Sequence, residues 1–378
     1  MEPFRIDASQ DIRDDLARRL AATILPVPSP GPDWSNGIPP RIVRELVDYW
    51  RGEYRWEAEA DRLNRYEHVR VNLDGCIVHV ARARAGKPGR LPVILTHGWP
   101  VTFNEMLPTV EAIDGELDVI IPSLPGYIYS NALPVPFGYE AIADRWHVLM
   151  TEHLGYERYL TYGEDVGSGI SDWLAAKYTS AVAGIVASHA SFSARERDGV
   201  ELSDDEQAFF ASLDQPQERA YAHQQSTRPD TLAVSLTDSP AGLLSWLAEK
   251  YAAWGPGNRL APYRPEEIVT PVMLFWITRS IGTSFRSYSE TGSGKPHPII
   301  DVPTALLIQQ HEARYPRTLG EKSYRDIRSF DVLDHGGHFP AWKAPGDIAR
   351  AIESLEQAVN TQPRGQDRPY AGGRRREA

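Results

Sequence analysis

The stretch Tyr159-Leu-Thr-Tyr-Gly163-Glu-Asp165-Val-Gly167-Ser-Gly-Ile-Ser-Asp-Trp-Leu174 constrains the fold more than any other part of the chain. Tyr159 to Tyr162 read as a short strand, two glycines then flank a single acid, and from Val166 the pattern is helical. Glycine at both flanks lets the backbone reverse so sharply that the central side chain, Asp165, stands exposed at the strand's C-terminal edge. A strand tied to a helix by so short a turn belongs to a sheet with helices packed on its faces. In the plainer reading, Gly163 and Gly167 make a tight loop and Asp165 only caps the helix.

The rest of the chain repeats that alternation. Leu91 to Thr96, Leu117 to Ile121, Ala183 to Ser188 and Thr304 to Gln309 are short apolar runs, and Asn104 to Ile113 and Ala141 to Leu154 are helix-like. The class expected is α/β with a mostly parallel central sheet, entered through a hairpin from Val69 to Val80 that turns at Asp74-Gly75. Ahead of it, residues 1–68 hold two amphipathic segments, Ile12 to Ala22 and Arg41 to Arg51, separated by a proline-rich stretch. This arm is too small for a confident independent domain. Residues 193–293 are polar and helical in pattern, with a Trp- and Tyr-rich second half. Inserted between strands of one sheet, they are expected to form a helical lid over its ligand edge. The core then comprises 69–192 and 294–360, and 361–378 reads as a disordered tail.

Composition excludes several alternatives. The chain has 378 residues, 42% of them hydrophobic, enough to bury a core without staples, and its one cysteine, Cys76, can build neither an intrachain bridge nor a thiolate cage. A net charge of −11 without a sustained basic block argues against nucleic acid as a partner. No run reaches the 18 apolar residues of a spanning helix, and the N-terminus lacks the order of a signal peptide, so a cytoplasmic protein is expected.

The turn around Asp165 has the geometry of a nucleophile elbow with Asp in the place of Ser. Attack by a carboxylate on a saturated carbon leaves an ester, which water can cleave at its carbonyl; attack by a serine would leave a stable ether. An electrophilic sp³ carbon, in an epoxide or an alkyl halide, is therefore implied. His97-Gly98-Trp99-Pro100, after the first core strand, can aim the Trp99 N–H at the elbow, where the Val166 N–H completes an oxyanion hole. Late in the chain, Asp334-His335-Gly336-Gly337-His338 offers the general base. His338 is favoured because Gly336-Gly337 frees the loop to bring it over the elbow, with His335 left to solvent. For the acid that orients it, Glu312 follows the strand Thr304 to Gln309 at its C-terminal end; Asp334 and Asp331 are alternatives.

In this order, these motifs resemble those of the epoxide hydrolases of the α/β-hydrolase superfamily, of the microsomal and juvenile-hormone type with an N-terminal meander. The resemblance runs from about Pro3 to Leu355. It includes Pro3-Phe-Arg-Ile-Asp, Trp34-x-x-Gly37, Arg44-Glu-Leu-Val-Asp-Tyr-Trp50, the His97 loop, Ile121-Pro-Ser-Leu-Pro-Gly126, the Asp elbow, Leu236-Thr-Asp-Ser-Pro-Ala-Gly-Leu243 and Gly336-Gly-His-Phe339. It implies an α/β-hydrolase fold, a small-molecule epoxide and water as reactants, no metal or organic cofactor, and two lid tyrosines, Tyr221 and Tyr288, that bind the epoxide oxygen. Three departures stand out. Glu164 precedes the nucleophile where the family has Gly and is expected to point away from Asp165, since facing carboxylates would raise a pKa. Val166 follows it in place of Trp, and Gln310-His311 replaces the family's Pro before the acid. No membrane anchor of the kind some relatives carry is expected. A haloalkane dehalogenase shares the nucleophile, but Val166 cannot supply the indole that binds a departing halide; a non-catalytic ligand-binding protein on the same fold would not need all four main positions filled. Trp246, Tyr251, Trp254 and Trp276 in the lid point either to a bulky apolar substrate, such as a secondary-metabolite intermediate, or to lid core.

Overall fold

The computed structural model describes residues 1–360 apart from 87, 197–198, 214–218 and 291–297. The expected tail at 361–378 and the lid boundary at 293 lie outside the described residues. Nine strands form one sheet: β1 (Glu2–Pro3), β2 (Glu67–Leu73), β3 (Cys76–Ala83), β4 (Val93–Thr96), β5 (Val119–Pro122), β6 (Tyr159–Gly163), β7 (Val182–Ala187), β8 (Thr304–Ile308) and β9 (Ile327–Val332). Their order is β1-β2-β3-β5-β4-β6-β7-β8-β9. The pairs from β1 to β5 are antiparallel, and every pair from β5 onward is parallel. The β2–β3 hairpin pairs Leu73 with Cys76 and turns through Asp74 (φ 50°) and Gly75 (φ 79°), two positive angles that match the twist of the strands.

Strands β4 to β8 are buried along their whole length, which is why each reads as an unbroken apolar run. Strand β9 is the exception. Its sequence Ile-Arg-Ser-Phe-Asp-Val is half-exposed at the sheet's edge, and its charged residues blunt that edge while hiding the strand from a search for apolar runs. The segment expected as one helix over Ala141 to Leu154 is an α-helix over Tyr139–Val148 that loosens into a π turn over Leu149–His153.

The arm carries α1 (Gln10–Ala21), α2 (Pro40–Gly52) and α3 (Trp56–Leu63). Between strands lie α4 (Leu107–Ile113), α5 (Tyr139–Val148) and α6 (Val166–Lys177), and between β7 and β8 lie α7 (Asp204–Ser212), α8 (Ala220–Thr227), α9 (Pro229–Asp238), α10 (Pro240–Trp254), α11 (Pro265–Thr278), α12 (Ile281–Ser284) and α13 (Arg286–Ser289). The chain closes with α14 (Arg317–Glu321), α15 (Pro340–Lys343) and α16 (Pro345–Asn360). Proline at the first helical positions of α2, α9, α10 and α11 sets their starts where a missing N–H costs nothing. Helices α5 and α6 pack together against the sheet, as do α4 and α16.

The arm reaches both layers. Strand β1 adds it to the sheet edge, and Asn64 exchanges two hydrogen bonds with the Ile6 backbone at 2.9 and 2.8 Å. Helices α1 and α2 lean on α10 and α11, with Tyr54 Oη 3.2 Å from Thr270 Oγ1 in the buried interface and Arg19 paired to Asp238 at 2.8 Å.

The β6–α6 turn is the tightest place in the fold. A Cβ on Gly163 would lie 2.1 Å from the Gly167 carbonyl oxygen, one on Gly167 would lie 2.1 Å from the Thr96 oxygen, and one on Gly98 would lie 2.4 Å from Asp165 Cβ. Each clash is with backbone or with Asp165 itself, so neither side can yield. Gly167→Ala should therefore lower the unfolding free energy by more than ~3 kcal/mol. Gly52→Ala, at the end of α2 with nothing within 4 Å of the added carbon, should raise it by up to about 1 kcal/mol. Denaturant melts of the two variants check both; equal shifts would show that the elbow has slack.

Candidate active site

Between Gly163 and Gly167 the backbone places Asp165 at φ 52° and ψ −123°, a sparsely populated conformation that costs about 1–3 kcal/mol and is tolerated where the surroundings enforce it. The result is a carboxylate at the N-terminus of α6 and at the C-terminal edge of β6, only about one-sixth exposed. Its Oδ1 accepts the Trp99 N–H at 2.9 Å. The Val166 N–H, expected as the second donor, begins α6 and has no acceptor within that helix.

The loop carrying Trp99 is pinned from behind by His97. Its Nε2 accepts the Leu124 N–H at 3.1 Å and its Nδ1 lies 3.1 Å from the Gly98 oxygen. Burial pushes the His97 pKa down to about 4, so the ring stays neutral and can keep both roles.

His338 brings Nε2 to 3.4 Å from Asp165 Oδ2. Its loop is held by contacts that no local pattern reveals. The His338 N–H donates to the Trp254 carbonyl at 2.8 Å, at the end of lid helix α10, and Gly337, at φ 68°, runs so close that a Cβ would meet the same oxygen at 2.6 Å. Gln310 links the two late loops, accepting the Gly337 N–H at 3.0 Å and donating to the Asp334 oxygen at 2.7 Å. Proline in that position could make neither bond. His335 is exposed and paired with Asp334 and Asp347, and Asp331 lies exposed on β9, so none of the three alternatives, His335, Asp334 and Asp331, is bonded to Asp165 or His338.

Glu312 lies where the strand-end argument puts it, in the turn after β8, on the wall of a 460 Å³ cavity that it shares with His311, Trp254 and His338. The bond expected from it to His338 is not formed: among the described residues its Oε2 has no partner. Burial, with the Asp165 charge adding to it, raises its carboxyl to about 8. Nδ1 of His338 is 3.4 Å from Nε2 of His189 instead, a residue just past the end of β7 that the sequence reading missed. A lone histidine after a strand gives no local signal of that kind.

Glu164 turns away from Asp165. Its Oε1 accepts the Tyr162 hydroxyl at 2.5 Å and the Ala341 N–H at 2.6 Å, and burial raises its carboxyl to about 8, with Asp165 contributing.

Over the elbow, Tyr221 stacks on Trp99 with centroids 5.2 Å apart, Tyr288 meets the same indole edge-on at 5.6 Å, and the two hydroxyls lie 3.5 Å apart. Burial, with the Asp165 charge second, holds the Tyr288 phenol well above its ordinary pKa, so it is a hydrogen-bond donor at neutral pH. Of the four lid aromatics, only Trp254 joins this group, packing on Trp99, Tyr221 and His338. Tyr251 is buried with its hydroxyl on the Pro100 carbonyl, Trp246 donates to Gln225, and Trp276 faces Arg19 of the arm. These three are lid packing.

The family described as the epoxide hydrolase N terminus matches residues 1–106, and the α/β-hydrolase fold family matches residues 92–345. A protein of Stigmatella aurantiaca, provisionally named an epoxide hydrolase, is 33% identical over 93% of this chain and 83% of its own length. Juvenile hormone epoxide hydrolase 1 of Ctenocephalides felis is 30% identical over 93% of this chain and 84% of its own. The crystal structure of juvenile hormone epoxide hydrolase from Bombyx mori superposes with a TM-score of 0.83 at 27% identity, covering 95% of this chain and 93% of that one.

The Glu164 site makes stability depend on pH. A carboxyl at about 8 in the folded protein and near 4.5 unfolded holds its proton only in the folded state across that interval. Its stabilising contribution is complete below 4.5 and is lost as pH rises toward 8, at roughly 1 kcal/mol per pH unit. Unfolding titrations should show the parent losing stability relative to Glu164→Gln between pH 5 and 8; parallel curves would contradict the shift.

Proposed function

The chain belongs to the epoxide hydrolases of the α/β-hydrolase fold, and from that premise we propose that it opens an epoxide to a vicinal diol through a covalent ester on Asp165. The observation that carries this reading is the division of labour at that carboxylate: Oδ1 is held by the Trp99 N–H while Oδ2 faces Nε2 of His338. Oδ2 is thus the oxygen free to attack. It displaces the oxirane oxygen from carbon as Tyr221 and Tyr288 donate to the alkoxide that forms. Water then gives a proton to His338 Nε2 and attacks Cγ of the ester. The developing charge falls on Oδ1, already seated on the Trp99 N–H with the Val166 N–H beside it. Collapse of that intermediate breaks the bond from Cγ to the substrate oxygen, and the diol leaves with the proton held by His338 and the one left on the Asp165 carboxyl, which restores the neutral imidazole and the carboxylate. The ring box of Trp99, Tyr221, Trp254, Phe285 and Tyr288 supports an apolar substituent on the epoxide, and two of the relatives above are named for juvenile hormone.

Single-turnover hydrolysis in heavy-oxygen water should place label on Asp165, and Asp165→Ala should form no diol. His338→Gln should accumulate the alkyl-enzyme, seen as a mass increase equal to the substrate. Label confined to the diol would exclude the ester route.

The tyrosines are tested apart from it. Donors aimed at a developing oxyanion are typically worth ~2.7–4 kcal/mol, so Tyr221→Phe and Tyr288→Phe should each slow alkylation by roughly 100- to 1,000-fold without unfolding the protein. The double variant should be close to inactive. Two single variants with parental alkylation rates would mean the oxygen's donors lie elsewhere.

A further inference from the structure

His338 has its Nε2 toward Asp165, and what lies behind its other nitrogen is a chain of buried polar groups. Nδ1 is 3.4 Å from His189 Nε2, with the rings edge to face; His189 Nδ1 is 3.3 Å from Ser188 Oγ; Ser188 Oγ is 3.1 Å from Tyr162 Oη; and Tyr162 Oη is 2.5 Å from Glu164 Oε1. His189, Ser188, Tyr162 and Glu164 are all buried. The two imidazole contacts are long for hydrogen bonds, as catalytic contacts often are before substrate binds.

Counting hydrogens from Glu164 outward gives this chain one direction, and it leaves Nε2 of His338 bare toward Asp165 Oδ2, 3.4 Å away, able to take a proton from water once that oxygen is esterified. Glu164 Oε1 takes two donors, the Tyr162 hydroxyl and the Ala341 N–H at 2.6 Å, so the proton of the neutral carboxyl is on Oε2 and Oε1 is the acceptor toward Tyr162. The Tyr162 hydroxyl therefore donates to Glu164, and its oxygen accepts from Ser188. Ser188 has spent its only hydrogen and must accept from His189 Nδ1. Burial keeps His189 neutral, with its pKa well below the ordinary value, so a ring protonated on Nδ1 has a bare Nε2 that accepts from His338 Nδ1.

We propose that Glu164, Tyr162, Ser188 and His189 form a one-way hydrogen-bond chain that fixes His338 with its proton on Nδ1 and its lone pair on Nε2, and that they position the base by a route independent of Glu312. The proposal rests on His338 being the base of the reaction proposed above. When water's proton arrives at Nε2, the Nδ1 proton stays on His338, and its bond to His189 strengthens as the ring becomes cationic. No proton travels along the chain. Glu164, in place of the glycine usual before the nucleophile, is the acceptor that sets its direction.

Tyr162→Phe removes one hydroxyl in the middle of the chain. Ser188 is then free to donate to His189 Nδ1, which moves the His189 proton to Nε2 and presents a donor to His338, forcing the His338 proton onto Nε2. In single-turnover experiments, hydrolysis of the alkyl-enzyme should slow by 10-fold or more while its formation keeps the parental rate, a split that general loosening of the core would not produce. The parent with 15N-labelled histidine should show His338 protonated on Nδ1 and an N–N coupling across the hydrogen bond to His189 Nε2. This arm needs no variant to fold and no substrate. Parental ester hydrolysis in a folded Tyr162→Phe protein, or His338 protonated on Nε2 in the resting parent, overturns the proposal. A parent that forms no ester with any epoxide would instead sink the functional reading, and the NMR result would still decide the tautomer.

Discussion

Three backbone segments meet at Asp165 more closely than side chains would permit. The carbonyls of Thr96 and Gly167 and the α-carbons of Gly98, Gly163 and Gly167 occupy one small volume, and only because no Cβ is present can the Trp99 loop lie against the β6–α6 turn. That approach holds Asp165 in its strained conformation and sets the Trp99 N–H 2.9 Å from its carboxylate. The neighbouring elements answer to the same point: β4 and β6 are adjacent in the sheet, each delivers one loop to it, and the lid tyrosines stack on the indole that one of those loops presents.

The remaining groups come from farther away. His338 and Glu312 arrive on separate loops after β9 and β8, and the lid supplies Tyr221, Tyr288 and Trp254. The arm braces that lid through Tyr54, Arg19 and the α2 face, and its Trp34 reaches the wall of the cavity that holds Glu312 and His338.

What could be read from the sequence follows from how local each cause is. Gly163, Asp165 and Gly167 are neighbours, and their spacing alone gives the turn; Gly336-Gly337 similarly marks a loop able to deliver His338. Buried strands announce themselves as apolar runs, whereas β9 stays hidden because an edge strand's charges serve against aggregation rather than for packing. The partner of His338 Nδ1 could not be read at all. Whether Glu312 or His189 faces that nitrogen depends on side-chain directions at the ends of two strands, β8 and β7, and nothing in either segment records the other. Glu164 was legible only as an anomaly; its purpose depends on Tyr162, two residues back on the same strand, and on Ala341, which the fold brings from the far end of the chain.

The bond from the His338 N–H to the Trp254 carbonyl, with Gly337 pressed against the same oxygen, has a consequence for how such a chain can diverge. Helix α10 ends in the carbonyl on which His338 is seated, so the lid and that histidine are parts of one mechanical piece although some eighty residues separate them. A lid whose α10 ended differently would move His338 with it. Side chains on the lid's inner face can therefore vary without disturbing that seat, while the end of α10 and the Gly336-Gly337 loop can change only together.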